Sequence, residues 1–209
     1  MSKVKICGLS RMEDIEAVNR ALPDYIGFVF APSRRRISIG AAAGLKERLN
    51  PNIEAVGVFV NENLEVIGEM CKSRIIDIVQ LHGDEDGLYI RRLKELCGCR
   101  VIKAIGIGYG LHDLPAQPDL SDLSVQPDYM LFDTLSGQRG GAGRAFDLNV
   151  LKGYSGQPYF LAGGLSAENV AVAIRLLSPF CVDVSSGVET DGIKDAEKIE
   201  EFVYLVRGK

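Results

Sequence analysis

The chain alternates between short apolar runs and helical stretches almost from end to end. Val4-Lys5-Ile6-Cys7-Gly8, Tyr25 to Phe30, Glu54 to Val60 and Ile76 to Leu81 are the first four runs. Val101 to Ile105, Tyr129 to Phe132, Tyr159 to Ala162 and Phe180 to Val184 complete the set. Several read as continuous hydrophobic strings, which is the pattern of parallel strands covered on both faces. Helical segments are predicted from Ser10, by a capping-box spacing, to Leu22, and over Gly40–Leu49, Glu62–Lys72 after an Asn61 cap, and Glu85–Leu96. Others are predicted over Ala167–Leu177 and Lys194–Val206, with a short one around Leu148–Leu151. Gly106 to Pro127 is rich in glycine and proline and has little helical periodicity, so the fifth helix is expected to be short or missing. Eight strand–helix units in 209 residues favour a closed (β/α)₈ barrel, an α/β TIM barrel forming a single domain over residues 1–209. An open doubly wound sheet would want G-x-G-x-x-G after the first strand, where the chain has only Cys7-Gly8-Leu9.

Composition narrows the class of function. A formal net charge of −4 argues against a nucleic-acid or membrane-surface partner. No apolar run approaches the roughly 20 residues that span a bilayer, and the start does not read as a signal peptide. Five cysteines, an odd number at irregular spacings, suggest reduced thiols and a cytoplasmic location. Cys97-Gly98-Cys99 lacks the CxxC spacing, and there are two histidines, so no metal is expected. No cofactor motif is present. Monomer and homodimer are both open.

The two last strands break into small-residue turns, Gly163-Gly164-Leu165 and Ser185-Ser186-Gly187. These glycines either only make tight turns or leave backbone N–H groups bare for a phosphate. In (β/α)₈ barrels the loops after strands seven and eight are the usual phosphate site, which favours the second reading.

Catalytic groups of such barrels sit at the C-terminal ends of the strands. There the chain places Cys7, Arg35, His82 and Asp133. Cys7 is either an inert buried thiol or, facing the loops before Gly8, a base or nucleophile present partly as thiolate. Cys71, Cys97 and Cys181 read as structural. Asp133 follows four apolar residues, where an unpaired carboxylate is costly unless it acts on a substrate. His82 is either a support residue or a substrate contact. The run Arg34-Arg35-Arg36 is either a solvated loop or the source of a guanidinium fork for a carboxylate. Base, acid, arginine and phosphate grip together suit isomerisation of a carboxylate-bearing sugar phosphate.

Lys5-Ile6-Cys7-Gly8-Leu9 resembles the amino-terminal signature of the phosphoribosylanthranilate isomerase family of tryptophan biosynthesis. The resemblance continues through Gly27-Phe28-Val29-Phe30, Gly57-Val58-Phe59-Val60-Asn61, Gln80-Leu81-His82-Gly83 and Asp133-Thr134. It ends with Gly140-Gly141-Ala142-Gly143, Ala162-Gly163-Gly164-Leu165 and Asp183-Val184-Ser185-Ser186-Gly187-Val188-Glu189. It implies a (β/α)₈ barrel that carries out an Amadori rearrangement of N-(5-phosphoribosyl)anthranilate without metal or coenzyme. It further implies Cys7 as general base, Asp133 as general acid protonated in an apolar site, and Arg35 facing the anthranilate. His82, Gly163, Gly164, Ser185, Ser186 and Gly187 are the other expected substrate contacts. The histidine-pathway isomerase would want an aspartate where Cys7 stands, and indole-glycerol-phosphate synthase a lysine. A non-catalytic phosphate-binding barrel is the rival from another class.

Overall fold

The computed structural model describes residues 1–107, 126–134 and 151–208. The glycine-rich loop at 137–143, the segment at 120–123, all but the last residue of the short helix expected at 148–151 and nearly all of the fifth helical region lie outside these residues.

Eight strands close into one parallel barrel. They are β1 (Lys3–Cys7), β2 (Tyr25–Val29), β3 (Glu54–Phe59), β4 (Ile78–Leu81), β5 (Arg100–Ile107), β6 (Tyr129–Thr134), β7 (Tyr159–Ala162) and β8 (Cys181–Val184). The seam joins the chain's two ends, with Lys5 opposite Asp183 between β1 and β8. On the other side of β1, Cys7 stands opposite Gly27. The described helices are α1 (Met12–Ala21), α2 (Ile39–Lys46), α3 (Leu64–Lys72), α4 (Gly87–Cys97), α5 (Val170–Leu177) and α6 (Ala196–Arg207). A 3₁₀ turn (Ser186–Val188) and a two-stranded ribbon, β9 (Glu189–Thr190) with β10 (Ile193–Lys194), separate β8 from α6. Nothing in the hydrophobic pattern announced this ribbon. It moves the start of the last helix from the expected Lys194 to Ala196.

Other helix starts also fall later than the sequence pattern suggests, because polar side chains at or just before the start take neighbouring backbone donors. In α1 the capping partner is Asp14, whose Oδ2 accepts from Ser10 N and Arg11 N, so Ser10 is not the cap. Asn63, not Asn61, caps α3 by accepting from Glu65 N. In α5 the start moves from Ala167 to Val170, because Asn169 ties back the preceding turn, accepting from Ser166 N and donating to Gly164 O.

Two apolar cores follow from the period-two alternation of strand side chains. Outward residues such as Val4, Ile6, Phe28, Val79 and Val182 pack with the helices. Inward residues form a separate cluster, including Tyr25, Val56, Ile78, Ile102, Leu131, Phe160 and Cys181. Phe160 is fully buried there, with ring centroids 5.5 Å from Tyr25 and 5.6 Å from Tyr129. Seven strands supply apolar side chains to this inner cluster, while β1 puts Lys5 into the barrel. Among the described residues no helix is long and apolar enough to cross a membrane. Phe160→Ala should lower the unfolding free energy by about 3–5 kcal/mol, read by chemical denaturation. A loss below about 1 kcal/mol would mean that the barrel interior is not packed around this ring.

Candidate active site

At the C-terminal ends of the strands lies a cavity of about 350 Å³. Cys7, Arg35, His82 and Asp133 line it, together with Gly163, Gly164, Ser185 and Ser186. Of the expected site residues only Gly187 is not on its wall. A Cβ there would come within 2.0 Å of Leu165 O, so this glycine lets the two small-residue turns lie against each other. Gly164 adopts φ +64°, in the left-handed region that disfavours a side chain. A larger cavity, about 420 Å³, is walled mainly by apolar side chains including Phe30, Phe59 and Met70. The smaller one has the convergent chemistry.

Cys7 ends β1, and its thiol occupies the space left by the missing side chain of Gly27, where a Cβ would lie 2.6 Å from the sulfur. Burial raises the thiol's pKa, while the positive charges of Lys5 and Lys194 act to lower it. The partial thiolate expected from the sequence is thus opposed by burial and favoured by these two cations. Lys5 lies beneath, fully buried, with Nζ 2.6 Å from Asp183 Oδ2 and 2.8 Å from Gln80 Oε1. Burial alone would strip an ammonium of its proton, but the Asp183 carboxylate outweighs it and the Lys5 pKa is raised. The other oxygen of Asp183 is buried without a hydrogen-bond partner, and Asp183 lines the cavity. A buried acceptor left open in this way suits a ligand hydroxyl.

Asp133, near the end of β6, is not sealed in an apolar site as expected. Its side chain is 33% exposed, and His82 Nε2 stands 3.5 Å from its Oδ2. The next residue inward on β4 explains how His82 is held, since Gln80 Nε2 is 3.0 Å from His82 Nδ1.

The arginine run splits three ways. Arg35 lines the strand-end cavity, Arg36 faces the larger one, and Arg34 is 59% exposed. Arg35 makes a two-pronged contact with Glu189, at 2.7 and 3.0 Å. Glu189 also accepts from Arg34 and from Lys194, each at 2.7 Å. Burial opposes the ionised carboxylate, but the bonds from Arg35 and Lys194 prevail and hold its pKa at about 2. Lys194 also donates to Ser185 O at 2.8 Å, and Ser185 Oγ donates to Cys7 O at 3.0 Å. One carboxylate thus ties the arginine loop to the turn after β8.

The other thiols lie elsewhere. Cys181 is buried inside the barrel. Cys71, Cys97 and Cys99 gather where α3 and α4 end and β5 begins, on the face opposite the cavity. Among the described residues no histidine or carboxylate joins them.

A family profile described as N-(5'-phosphoribosyl)anthranilate (PRA) isomerase matches residues 4–204. The isomerase of that name from Endomicrobium trichonymphae is 46% identical over 208 residues, 99% of each chain. The chain belongs to the phosphoribosylanthranilate isomerase family. Among solved members, the enzyme from Thermotoga maritima superposes with a TM-score of 0.87 at 37% identity, covering both chains fully. A family structure in complex with reduced 1-(o-carboxyphenylamino)-1-deoxyribulose 5-phosphate has a TM-score of 0.85 at 35% identity, again over both whole chains.

Reading strand ends for polar groups found the mouth of this isomerase fold but missed what lies below and behind it. Lys5, Gln80 and Asp183 sit inside apolar strands, and their alternation with outward hydrophobes was the available signal. Lys194 gave none, because its ribbon is only two residues long. Since Arg35 alone of the three arginines faces the strand-end cavity, Arg35→Ala should raise KM about tenfold or more, the loss of a charged hydrogen bond. Arg36→Ala should leave KM nearly unchanged. The reverse order in steady-state kinetics would reassign the loop.

Proposed function

We propose that this chain converts N-(5-phosphoribosyl)anthranilate to 1-(o-carboxyphenylamino)-1-deoxyribulose 5-phosphate, with Cys7 as general base and Asp133 as general acid. The observation that carries the reading is the opposition of Cys7 and Asp133, at the ends of β1 and β6, across one cavity rimmed by the Gly163-Gly164 and Ser185-Ser186 turns. The turns after β7 and β8 take the phosphate, as their place in a (β/α)₈ barrel favours. Arg35, across the mouth, takes the anthranilate carboxylate through guanidinium donors not turned to Glu189. The substrate is thereby stretched between two anchors with its C1 and C2 over the catalytic pair.

Asp133 donates its proton to the ribose ring oxygen, and the ring opens to a protonated Schiff base. Cys7, as thiolate, then removes the proton from C2 to give the enolamine, which tautomerises to the ketone. The buried ammonium of Lys5 favours the thiolate at that moment, because it is already in place and needs no reorganisation. The open oxygen of Asp183 accepts a ribose hydroxyl. No step calls for a metal or coenzyme.

Asp133→Asn keeps the shape and removes the acid, so turnover should fall about 10²–10⁴-fold. Cys7→Ser should keep substrate binding and lose most turnover, a hydroxyl being far less acidic than a thiol. Turnover within tenfold of the parent in either variant would remove that residue from its role. The pH profile follows from the sign of the Cys7 shift. The active form is the deprotonated one and its pKa lies above the ordinary 9.0, so the reactive fraction grows as pH rises. The kcat/KM of the parent should therefore climb from about pH 7 to about pH 9. A flat profile across that interval would show that this thiol does not limit the reaction as a base.

A further inference from the structure

Beneath the cavity, three contacts follow one another in a single direction. Lys5 Nζ donates to Gln80 Oε1 at 2.8 Å, Gln80 Nε2 meets His82 Nδ1 at 3.0 Å, and His82 Nε2 faces Asp133 Oδ2 at 3.5 Å. An ammonium has donors and no acceptor, so the end of the Gln80 amide that faces it must be the oxygen. The amide nitrogen then faces His82, and it too only donates. Nδ1 must therefore be the lone-pair nitrogen, and a neutral imidazole carries its proton on Nε2. The orientation of one buried ammonium is in this way passed through two side chains to the acid.

We propose that Lys5 and Gln80 are positioning residues for the isomerisation: they hold His82 as the Nε2–H tautomer, aimed at Asp133. This rests on the reading of Asp133 as the general acid. When Asp133 has given its proton to the ring oxygen, a carboxylate remains, and His82 Nε2–H donates to its Oδ2. The other oxygen is kept for the substrate. The opposite tautomer would set a lone pair against the new carboxylate and oppose proton donation. The 3.5 Å separation is longer than a formed hydrogen bond, and contacts of this kind commonly tighten only once substrate is bound. The positive charge of Lys5 also acts to lower the pKa of Cys7, so a single cation serves both proton-transfer groups.

The chain has only two histidines, so the tautomer is directly readable by ¹⁵N NMR of the imidazoles, with His112→Gln assigning the two signals. In the substrate-free parent His82 should show a protonated Nε2 and an unprotonated Nδ1. Gln80→Glu keeps the side-chain shape but offers acceptors to both neighbours, so His82 Nδ1 should become protonated. Its kcat should fall by at least about tenfold with KM little changed, as expected when an imidazole beside a catalytic carboxylate is held in the wrong tautomer. Gln80→Leu, which removes both links without adding charge, should leave a mixture of tautomers and an intermediate kcat. A parent His82 protonated on Nδ1, or a Gln80→Glu variant with parental kcat, would overturn the proposal while leaving the Asp133 assignment standing. Parental turnover in Asp133→Asn would remove both.

Discussion

The ion pair between Lys5 and Asp183 closes this barrel and charges its interior at the same time. The partners are 178 residues apart and stand opposite each other on the first and last strands. A buried ammonium without its carboxylate would be costly, and removing one member of such a pair typically destabilises by about 3–5 kcal/mol. The pair therefore works only when β8 docks on β1 in the right register. A slip of one residue would turn Asp183 out to the helices and bring a hydrophobe to face Lys5. Strand registry and the electrostatics of the cavity floor are in this sense one requirement.

The cavity above inherits its properties from that floor. Cys7 lies two residues beyond Lys5 on the same face of β1, and Gln80 carries the influence of the same ammonium to His82 and Asp133. The rim is organised by charge of the opposite sign. Glu189, 5% exposed, gathers Arg34, Arg35 and Lys194. A carboxylate held at about pKa 2 stays ionised over the whole working range, so Arg35 is kept in place without depending on pH. The cation-rich rim suits a substrate that is anionic at both ends, and the inner ion pair suits the proton transfers between them.

Strand order, barrel closure and the positions of Cys7, Arg35, His82 and Asp133 were legible because each depends on local pattern. A strand covered on both faces needs a continuous apolar run, and a polar residue that ends such a run must face the loops. Helix starts were less legible. The capping contributions of Asp14, Asn63 and Asn169 depend on which nearby polar group wins a backbone donor. Several candidates stood within three residues of each other, and their propensities are nearly equal. The β9–β10 ribbon was invisible for a different reason, since two-residue strands carry no periodicity to detect.

By itself the sequence determined the fold class and singled out the polar groups that meet at the strand-end cavity, because both follow from residue type and short-range spacing. The state of those groups was decided only by the tertiary structure. Strand-end position suggested a partly ionised Cys7, and the family resemblance an Asp133 protonated in an apolar site. In the folded chain burial pushes the Cys7 thiol up against the pull of Lys5 and Lys194, and His82 stands beside Asp133. Charge state depends on distances between groups far apart in the chain: Lys5 and Asp183, Gln80 and Lys5, Glu189 and Arg35 are 178, 75 and 154 residues apart. Those distances exist only once eight strands have closed into a ring.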